Sequence, residues 1–414
     1  MSADPQRKLR HRVRRRYRWL LGLVVVPLAA LGIVVAIDRV FFSPTVRTCP
    51  FETAGAASRP GLQRLLDGAV TGPSALAPGA TAYVSGPHGT WLGAAGVADT
   101  STCARMPVEA RMRLESVSKI YTATLILQLA QAGKLRVGDT VARWLPGLLP
   151  YGHRITIQEL LTMSSGLIDN NDFNNATDAQ KHAYLARVKD QKLRATLLAI
   201  AARVGDDPAA EVSPLWWVRW AAWQKLLFTP GAGYHYSNIG YDVLGLIAAR
   251  AAGKPLAVLY RERIFEPLGL HATAYDPQGP IGGAHAHGYG IEPNGTQFDT
   301  TAWHWGVGAE GGIVSDAKDT ATFLTALTQG KLLDRTQLDG MEGMNLWRGG
   351  EPTGCGANAF GWSGGGSGYK TEVWVADGGR RVAVLLLNAR HLDTAQAAAD
   401  LDAHHTMSLL YCAA

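Results

Sequence analysis

Cysteine is scarce in this sequence, with four residues among 414, and their spacing matches no zinc-binding pattern. The four are Cys49, Cys103, Cys355 and Cys412, an even number, which indicates two disulfides if they lie in an oxidising compartment. Four cysteines allow three pairings, and the sequence alone does not choose among them. We predict Cys49–Cys103 and Cys355–Cys412, each joining a terminal segment to the body of the protein.

Charged side chains are also few, at 18% of the chain, and the net charge of +6 is confined to one end. Residues 1–18 hold eight Lys/Arg and one Asp, which leaves 32 basic and 33 acidic side chains in the rest. The pI of 9.1 therefore does not indicate nucleic-acid binding, and we expect no nucleic-acid partner. The hydrophobic content of 47% is ordinary for a globular protein.

Next to this basic tail, residues 19–37 form a run without charge that is long enough to cross a bilayer. Positive charge flanks its amino end, which predicts a cytoplasmic tail at 1–18 and a single-pass anchor at 19–37. A linker at 38–60, partly rich in Pro, Gly, Ala and Ser, and a single domain at 61–414 would follow outside the cytoplasm. The alternative is a cleaved signal peptide, although no A-x-A site directly follows the apolar run.

The stretch at 112–134 is the centre around which the chain is organised. Residues 120–130 are almost wholly apolar, which predicts a helix buried on all sides, and Gly133 suits its C-terminus. Ser116 and Lys119 precede this run at i and i+3, so both side chains share one face of the first turn. The free N–H groups of a helix N-terminus stabilise negative charge, so this serine has an amine and backbone donors beside it.

The remaining patterns predict helices and hairpins. Strands at 81–85 and 90–97 flank the turn at 86–89, and strands at 369–376 and 381–387 flank the turn at 377–379. Helices are predicted at 61–72, at 155–166 with Thr156 as the cap, at 315–328 with Ser315 as the cap, and at 394–410. The tryptophans at 216, 217, 220 and 223 have helical spacing, which is usual for a core or groove wall and less often lines an apolar substrate site. This order predicts an α+β fold in which one antiparallel sheet is built from both ends of the chain.

Short motifs offer rival nucleophiles. Ser-x-x-Lys occurs at Ser116, Ser315 and Ser367, but only Ser116 opens a buried helix. The segment Gly361-Trp362-Ser363-Gly364-Gly365 matches the nucleophile elbow of α/β-hydrolases, with acids and histidines following it. An elbow must join a strand to a helix, whereas glycines and a hairpin follow here, so we rank this alternative below Ser116.

Two further motifs complete the candidates. In Tyr236-Ser237-Asn238 the phenol and the amide are two residues apart and point the same way on an extended loop. A tyrosine with a depressed pKa can relay a proton, and an asparagine can hold a substrate carbonyl. His285-Ala286-His287 could bind a metal but has no HExxH motif or carboxylate partner nearby, so we interpret it as loop and predict no metal site.

Jointly, Ser116-Val117-Ser118-Lys119, Tyr236-Ser237-Asn238 and Trp362-Ser363-Gly364 are similar in order and approximate spacing to the three motifs of the serine β-lactamase and penicillin-binding-protein superfamily. The chain most resembles the class C branch, with D-alanyl-D-alanine carboxypeptidases and related esterases. The resemblance covers about residues 61–412 and includes segments such as FTPGAGYHYSNIGYDVLGLI and GAEGGIVSDAKDTATFL. It implies a β-lactamase-like fold with a mostly helical insert.

The resemblance also implies roles for the matching residues. Ser116 would be the acylated nucleophile, Lys119 would take its proton, and Tyr236 would act as acid and base toward the leaving group and the deacylating water. The oxyanion hole would consist of the backbone N–H groups of Ser116 and Gly365. The substrate would be contacted by Asn238, Trp362, Ser363, Gly364 and Gly365.

The chain departs from the family at Trp362, where lysine or histidine usually opens the third motif. A neutral tryptophan cannot attract a substrate carboxylate, and this position resembles the esterase members of the branch. Lys370 and His304 are the candidates for supplying the missing charge. We therefore predict a membrane-anchored, extracytoplasmic serine hydrolase that acts on small esters or on D-amino-acid peptides of cell-wall type, without metal or organic cofactor. The non-enzymatic alternative is a catalytically silent penicillin-binding module that senses wall fragments.

Overall fold

The fold is built on an antiparallel sheet whose strands come from both ends of the chain, as predicted. A computed structural model describes Cys49 and residues 59–72, 75–203, 213–277, 279–302, 307–343, 348–356, 358–366, 368–392 and 395–414. Its strands are β1 (Gly79–Gly86), β2 (Gly89–Asp99), β3 (Ala104–Arg105), β4 (Met112–Arg113), β5 (Ala274–Tyr275), β6 (Tyr289–Ile291), β7 (Gln297–Asp299), β8 (Ile313–Ser315), β9 (Arg348–Pro352), β10 (Asn358–Gly366), β11 (Tyr369–Ala376), β12 (Arg381–Leu387) and β13 (Ala389–His391). The large sheet has the order β3-β2-β1-β12-β11-β10-β9, and two three-stranded sheets, β13-β6-β7 and β4-β8-β5, accompany it.

Both predicted hairpins are confirmed. The β1–β2 pair closes at Gly86 and Gly89, and the β11–β12 pair has the predicted bounds. Strand β1 also pairs with β12, with Tyr83 opposite Val384, so the two chain ends meet at the centre of the sheet. Glycine and Asp-Gly turns fix such hairpins locally, which explains why their strands were predictable from the sequence.

Helices cover both faces of this sheet. They are α1 (Pro60–Gly68), α2 (Ser118–Gln131), α3 (Val141–Trp144), α4 (Ile157–Leu161), α5 (Asn170–Asn174), α6 (Asp178–Arg187), α7 (Gln191–Arg203), α8 (Pro214–Ala222), α9 (Asn238–Ala252), α10 (Leu256–Tyr260), α11 (Glu266–Leu268), α12 (Ala317–Thr328), α13 (Arg335–Gly343) and α14 (Gln396–Cys412). Strand β12 alternates between two cores, because Val384 and Leu386 face the cluster containing α2 while Leu385 and Leu387 face α1 and α14.

Helix α2 is buried on nearly all sides, as its apolar sequence predicts. Eleven of its fourteen residues are buried, including Ser118 and Lys119 at its start. It ends at Gln131, and Gly133 follows in the left-handed conformation with φ of 66°. Each Å² of apolar surface that is removed from water contributes about 25 cal/mol to stability, so burial on this scale holds the helix in the core. The residues at its N-terminus are therefore held in place by the whole fold.

The predicted helix caps have mixed outcomes. Thr156 caps α4 in a capping box with Glu159, as predicted. The Ser315 cap is wrong, because Asp316 accepts the hydrogen bond from the Asp319 N–H and α12 begins at Ala317. Ser315 instead ends strand β8, and its hydroxyl lies 2.8 Å from that of Thr273.

Two residues of the tryptophan stripe belong to the core, whereas Trp223 is 37% exposed. Trp217 and Trp220 are buried and make edge-on contact with each other, with ring centroids 5.8 Å apart. Trp220 also packs against Phe173 and Tyr184. These contacts join α8 to α5 and α6, so they support the core interpretation and not a substrate-lining stripe.

Both predicted disulfides are confirmed. Cys49 is bonded to Cys103, and Cys355 is bonded to Cys412. The first ties the segment before α1 to the loop after β2, and the second ties α14 to the loop before β10. Each closes a loop of more than fifty residues, and such cross-links typically stabilise a fold by about 2–4 kcal/mol.

The predicted anchor lies outside the described residues. The tail at 1–18, the apolar run at 19–37 and most of the linker at 38–60 belong to that part of the chain. Within the described ranges, no single helix has the length and apolar character to cross a membrane, and only Asn238–Ala252 with Leu256–Leu268, bent by 79°, meets those criteria as a pair. The anchor and the domain bounds built on it stay predictions.

Candidate active site

Ser116 lies in a tight turn immediately before α2. Residues Glu115–Val117 form a 3₁₀ turn and α2 begins at Ser118, so Ser116 precedes the α-helix that was predicted to contain it. The Leu114 N–H donates to the Ile313 carbonyl and the Ile313 N–H donates to the Ser118 hydroxyl. Strand β8 thus anchors the turn on both sides. Ser118 is occupied in this structural role.

Three side chains predicted from separate motifs meet at this turn. The Lys119 Nζ donates to Ser116 Oγ at 3.0 Å, and the Ser116 Oγ lies 2.7 Å from the Tyr236 hydroxyl. The Lys119 ammonium also lies 5.0 Å from the centre of the Tyr236 ring. A hydroxyl in contact with both an amine and a phenol can pass its proton to that pair when it attacks a carbonyl carbon.

Lys119 is 1% exposed and is surrounded by acceptors. In addition to Ser116, its Nζ donates to Asn238 Oδ1 at 2.7 Å, to the Glu310 carbonyl at 2.9 Å and to Glu310 Oε2 at 3.2 Å. The Asn238 and Glu310 carbonyl oxygens can only accept, and so can Oε2 when Glu310 is ionised. An ammonium has three N–H donors for these three oxygens, whereas a neutral amine has two, and Ser116 Oγ shares one of the three. The geometry therefore corresponds to a charged Lys119.

The electrostatics of the pair agree with this geometry. Burial lowers the pKa of Lys119, but the negative charges that Tyr236 and Glu310 carry when ionised outweigh burial and raise that pKa above its ordinary value. Burial likewise raises the pKa of the Tyr236 phenol, and the Lys119 ammonium offsets this only in part. The expected depressed tyrosine pKa is therefore wrong for the substrate-free site. At rest the pair holds both of its protons.

The loop 234–238 is positioned by α9 and by a buried carboxylate. The Ser237 hydroxyl caps α9 by accepting from the Gly240 N–H. The Asn238 N–H donates to Asp169 Oδ2 at 2.5 Å, and the Asn238 amide donates to Asp169 Oδ1 at 3.3 Å. Burial raises the pKa of Asp169 to about 6 despite these bonds. The Asn238 side chain is thus directed to Lys119 and Asp169, and its contact with substrate stays a prediction.

Strand β10 passes directly against the turn that contains Ser116. A Cβ atom at Gly364 would lie 2.4 Å from the Leu114 carbonyl oxygen and 2.9 Å from the Ser116 nitrogen, so only glycine allows this approach. Gly365 follows on the same strand, opposite Lys370 of β11. The close approach brings this strand beside the Ser116 N–H, which is the arrangement an oxyanion hole between Ser116 and Gly365 requires.

A cavity of about 470 Å³ opens onto Ser116. Trp362 and Ser363 line it from β10, and the exposed side chains of Tyr234 and Leu401 lie at 66% and 69% exposure among its lining residues. Its other lining residues are Tyr236, Gly361, Lys370, Glu372, Trp374, Asp400 and His404. The lining thus combines the aromatic side chains of Tyr234, Tyr236, Trp362 and Trp374 with charged side chains that include Lys370, Glu372 and Asp400.

Lys370 lines this cavity, but its charge is already paired. Its Nζ lies 2.8 Å from Glu372 Oε1 and 3.2 Å from Asp400 Oδ1, and the side chain is 8% exposed. Arg390 contacts the same Asp400 oxygen. The basic and acidic charges of this group balance, so Lys370 does not offer a free positive charge to a substrate carboxylate. The other candidate for that role, His304, lies outside the described residues.

The rival nucleophiles lack the required geometry. Ser363 lies in the middle of β10, opposite Glu372 of β11, so its glycines belong to a strand and not to a strand-to-helix elbow. Ser315 ends a strand and Ser367 lies outside the described residues. The expectation that the His285–His287 segment has no nearby carboxylate is wrong, because His287 lies 2.7 Å from Asp299 at the end of β7. Within the described ranges, no group of three or more His, Cys, Asp or Glu side chains is arranged to bind a metal ion.

Two acidic residues of the site were missed from the sequence. Glu310 contacts Lys119 through both its carbonyl and its carboxylate. Glu115, immediately before the nucleophile, has φ of 52°, which is rare for a residue other than glycine. Its buried Oε1 has no partner among the described residues, and burial raises the pKa of Glu115 to about 8. The sequence contains only weak signals for these two acids. Glu310 lies among glycines, and Glu115 directly precedes Ser116.

Comparison with known proteins gives matches over most of the domain. The family model described as Beta-lactamase matches residues 64–407. Penicillin-binding protein 4 of Amycolatopsis lactamdurans is 30% identical over 189 residues, which cover 45% of this chain and 41% of that protein. Esterase EstB of Burkholderia gladioli is 30% identical over 198 residues, which cover 44% of this chain and 43% of that protein.

The similarity to solved structures extends further along the chain. A D-stereospecific amidohydrolase from Streptomyces sp. superposes with a TM-score of 0.64 at 26% identity, covering 80% of this chain and 94% of that one. The aligned segment spans less than half the length of each curated relative above, whereas the structural match spans nearly all of the solved chain. The structural similarity therefore covers a larger part of this chain than the sequence similarity to those two relatives does.

Proposed function

The chain belongs to the beta-lactamase family, and on that premise we propose that it is a serine hydrolase that works through an acyl-enzyme on Ser116. The observation that carries this proposal is the hydrogen-bonded group of Ser116, Lys119 and Tyr236 on the wall of one cavity. A nucleophile, a proton-accepting pair and backbone donors beside it are the parts that acyl transfer requires.

The proposed reaction has two proton-balanced steps. The Ser116 oxygen forms a bond to the substrate carbonyl carbon while its proton moves to the Lys119–Tyr236 pair, once that pair has released one proton to solvent. The pair then donates the proton to the departing alcohol or amine as its bond to the carbonyl carbon breaks. Water repeats the sequence on the acyl-enzyme and regenerates the Ser116 hydroxyl.

We propose that the substrates are acyl compounds whose reacting end carries no free carboxylate. Trp362 is neutral and Lys370 is paired with Glu372 and Asp400, so the cavity has no unpaired cation among its described lining residues. Small esters and D-amino-acid amides meet this condition, and the similarity to an esterase and to a D-stereospecific amidohydrolase supports these two classes. D-amino-acid peptides of cell-wall type, which end in a carboxylate, are the second candidate, supported by the similarity to penicillin-binding protein 4.

The cellular location is a further part of the proposal. The basic tail at 1–18 and the uncharged run at 19–37 would anchor the enzyme in the cell membrane, with the catalytic domain outside the cytoplasm. Two disulfides suit that compartment, because cysteine pairs persist where the surroundings are oxidising. Membrane fractionation of the full chain with alkaline extraction tests this placement, and release of the protein by the extraction would contradict it.

A burst experiment tests the acyl-enzyme. Mixed with a p-nitrophenyl ester, the enzyme is expected to release a burst of nitrophenol that approaches one equivalent, because acylation precedes slower release to water. The same preparation is then assayed on a D-amino-acid amide, a D-Ala-D-Ala peptide and a cephalosporin, with kcat/KM expected to be highest for the ester. Binding without turnover on every compound would favour the silent penicillin-binding module instead.

Trp362→His tests whether position 362 sets the substrate class. A histidine can carry positive charge below its pKa, so the variant is expected to increase turnover of the D-Ala-D-Ala peptide or the cephalosporin relative to the ester. We expect the ratio of kcat/KM values to change by about tenfold, which corresponds to one favourable charge contact of about 1.4 kcal/mol. Trp362→Phe, which keeps a neutral ring, is the matched control, and an unchanged ratio in the histidine variant would mean that Trp362 does not determine specificity.

A further inference from the structure

Glu310 makes two separate contacts with the same ammonium. Its backbone carbonyl accepts from Lys119 Nζ at 2.9 Å, and its carboxylate Oε2 lies 3.2 Å from that nitrogen. The side chain is 14% exposed, so water screens this ion pair only weakly. Glu310 itself lies in none of the three sequence motifs that define the site.

The loop that contains Glu310 is packed against two helices. The Thr122 hydroxyl of α2 donates to the carbonyl of the preceding residue, Ala309. A Cβ atom at Gly308 would lie only 2.3 Å from Asp242 Oδ1, so the loop passes directly against α9. These contacts join the loop to α2, which contains Lys119, and to α9, which begins two residues after Tyr236, so the fold holds the Glu310 carboxylate against Lys119.

Other acids face the same cluster, but none is as well placed to neutralise Lys119. Burial raises the pKa of Glu115 to about 8, although Arg113 and Arg390 act in the opposite direction. Burial also raises the pKa of Asp242 and takes that of Asp169 to about 6, and Asp169 is occupied by Asn238. Among the described residues, Glu310 is the acid whose carboxylate forms an ion pair with Lys119.

We infer that Glu310 is a positioning residue of this site: its carboxylate holds the Lys119 ammonium in place and sets how tightly the Lys119–Tyr236 pair retains its proton. The inference rests on the proposed function. A negative charge close to the pair stabilises its fully protonated form, which cannot accept the Ser116 proton. The pair must lose one proton before it can act as a base, so Glu310 moves the onset of activity to higher pH.

The test is the pH dependence of kcat/KM for a p-nitrophenyl ester, which reports the ionisation of the free enzyme. Glu310→Gln keeps an oxygen that can accept from Nζ but removes the charge. We expect its acid limb to move about one pH unit or more toward lower pH. At a fixed pH on that limb the variant is then about tenfold faster than the unmodified protein. The pH dependence of labelling by a fluorophosphonate is expected to shift by the same amount, because it reports acylation alone.

Two further variants separate charge from structure. Glu310→Asp retains the charge one methylene further back and is expected to shift the limb in the same direction by less. Glu262→Gln breaks an exposed ion pair with Lys254, remote from the cavity, and is expected to leave the limb unchanged. Thermal unfolding of each variant checks that it is folded, and the aspartate variant decides the question if the glutamine variant does not fold.

The outcomes distinguish this inference from the proposed function. In one set of outcomes, the unmodified protein is active while the acid limbs of the Glu310 variants coincide with its own or lie at higher pH. Either result would overturn the role of Glu310 and leave the acyl-enzyme intact. Absence of any Ser116-dependent turnover or labelling in the unmodified protein would instead overturn the proposed function, and the inference with it.

Discussion

Ser116→Ala is expected to lower kcat for ester hydrolysis by about 10⁴-fold or more, because removal of a covalent nucleophile leaves only binding and the oxyanion donors. It is also expected to abolish labelling by a fluorophosphonate. The substitution removes one oxygen from a half-buried side chain, and its partner Lys119 keeps its contacts with Asn238 and Glu310, so the fold should remain intact. The loss would therefore be catalytic, as unchanged thermal unfolding would verify.

Ser363→Ala is the matched control for this result. Ser363 lines the same cavity and belongs to the G-x-S-x-G sequence, but it lies in the middle of strand β10. Labelling is expected to persist in this variant. Labelling that survives in Ser116→Ala and disappears in Ser363→Ala would transfer the nucleophile to the strand and contradict the account.

Lys119→Met is expected to lower kcat/KM by about 10²–10⁴-fold, the usual contribution of a positioned acid or base. The methionine nearly preserves side-chain length, so packing at the start of α2 changes little. The charge is lost, however, and Glu310 then lacks its partner in a largely buried position. Loss of one member of such a pair typically costs about 3 kcal/mol of unfolding free energy, which denaturant unfolding would measure.

The double variant Lys119→Met/Glu310→Gln distinguishes these two effects. Removing the second charge should recover much of the lost stability, because no uncompensated carboxylate remains, while activity stays low. Lys254→Met is a matched control, since Lys254 pairs with Glu262 at 50% and 38% exposure, and surface pairs contribute about 0–1 kcal/mol. A double variant no more stable than Lys119→Met would mean that the Glu310 ion pair does not carry the stability effect.

Local patterns made much of the fold predictable. The hairpins close at glycine-containing turns, and Thr156 caps α4 together with Glu159, three residues further along the chain. Such signals act over a few residues, so the sequence displays them directly. The disulfide pairing is not a local signal, because it depends on which distant segments meet. It was predicted from the expectation that each terminal segment is joined to the body of the protein.

The site residues that could be predicted are those whose residue type is unusual for their position in the sequence. Ser116, Lys119 and Tyr236 carry groups that have few reasons to occupy a buried helix start or a glycine-rich loop, and the structure brings them within hydrogen-bonding distance. Ser315 and Asp316 show the limit of such reasoning. Both residue types cap helices well, and only the pairing of β8 with β4 decides that Ser315 belongs to a strand.

Glu310 was not predictable for a physical reason. It lies 191 residues from Lys119 in sequence, among small residues that give no periodic signal. Its role arises only when the loop before β8 is docked between α2 and α9. The same holds for the upward shift in the pKa of Tyr236, since burial depends on how the whole cavity is assembled.

Peptide mapping of the acylated enzyme tests the central claim most directly. Trypsin cleavage after Arg113 and Lys119 releases the peptide LESVSK, whereas Ser363 lies in the separate peptide that spans residues 349–370. After brief exposure to a fluorophosphonate and reduction of the disulfides, fragmentation by mass spectrometry should place one adduct on Ser116 of LESVSK. An adduct on Ser118, or on the peptide containing Ser363, would contradict a mechanism that begins at the turn before α2.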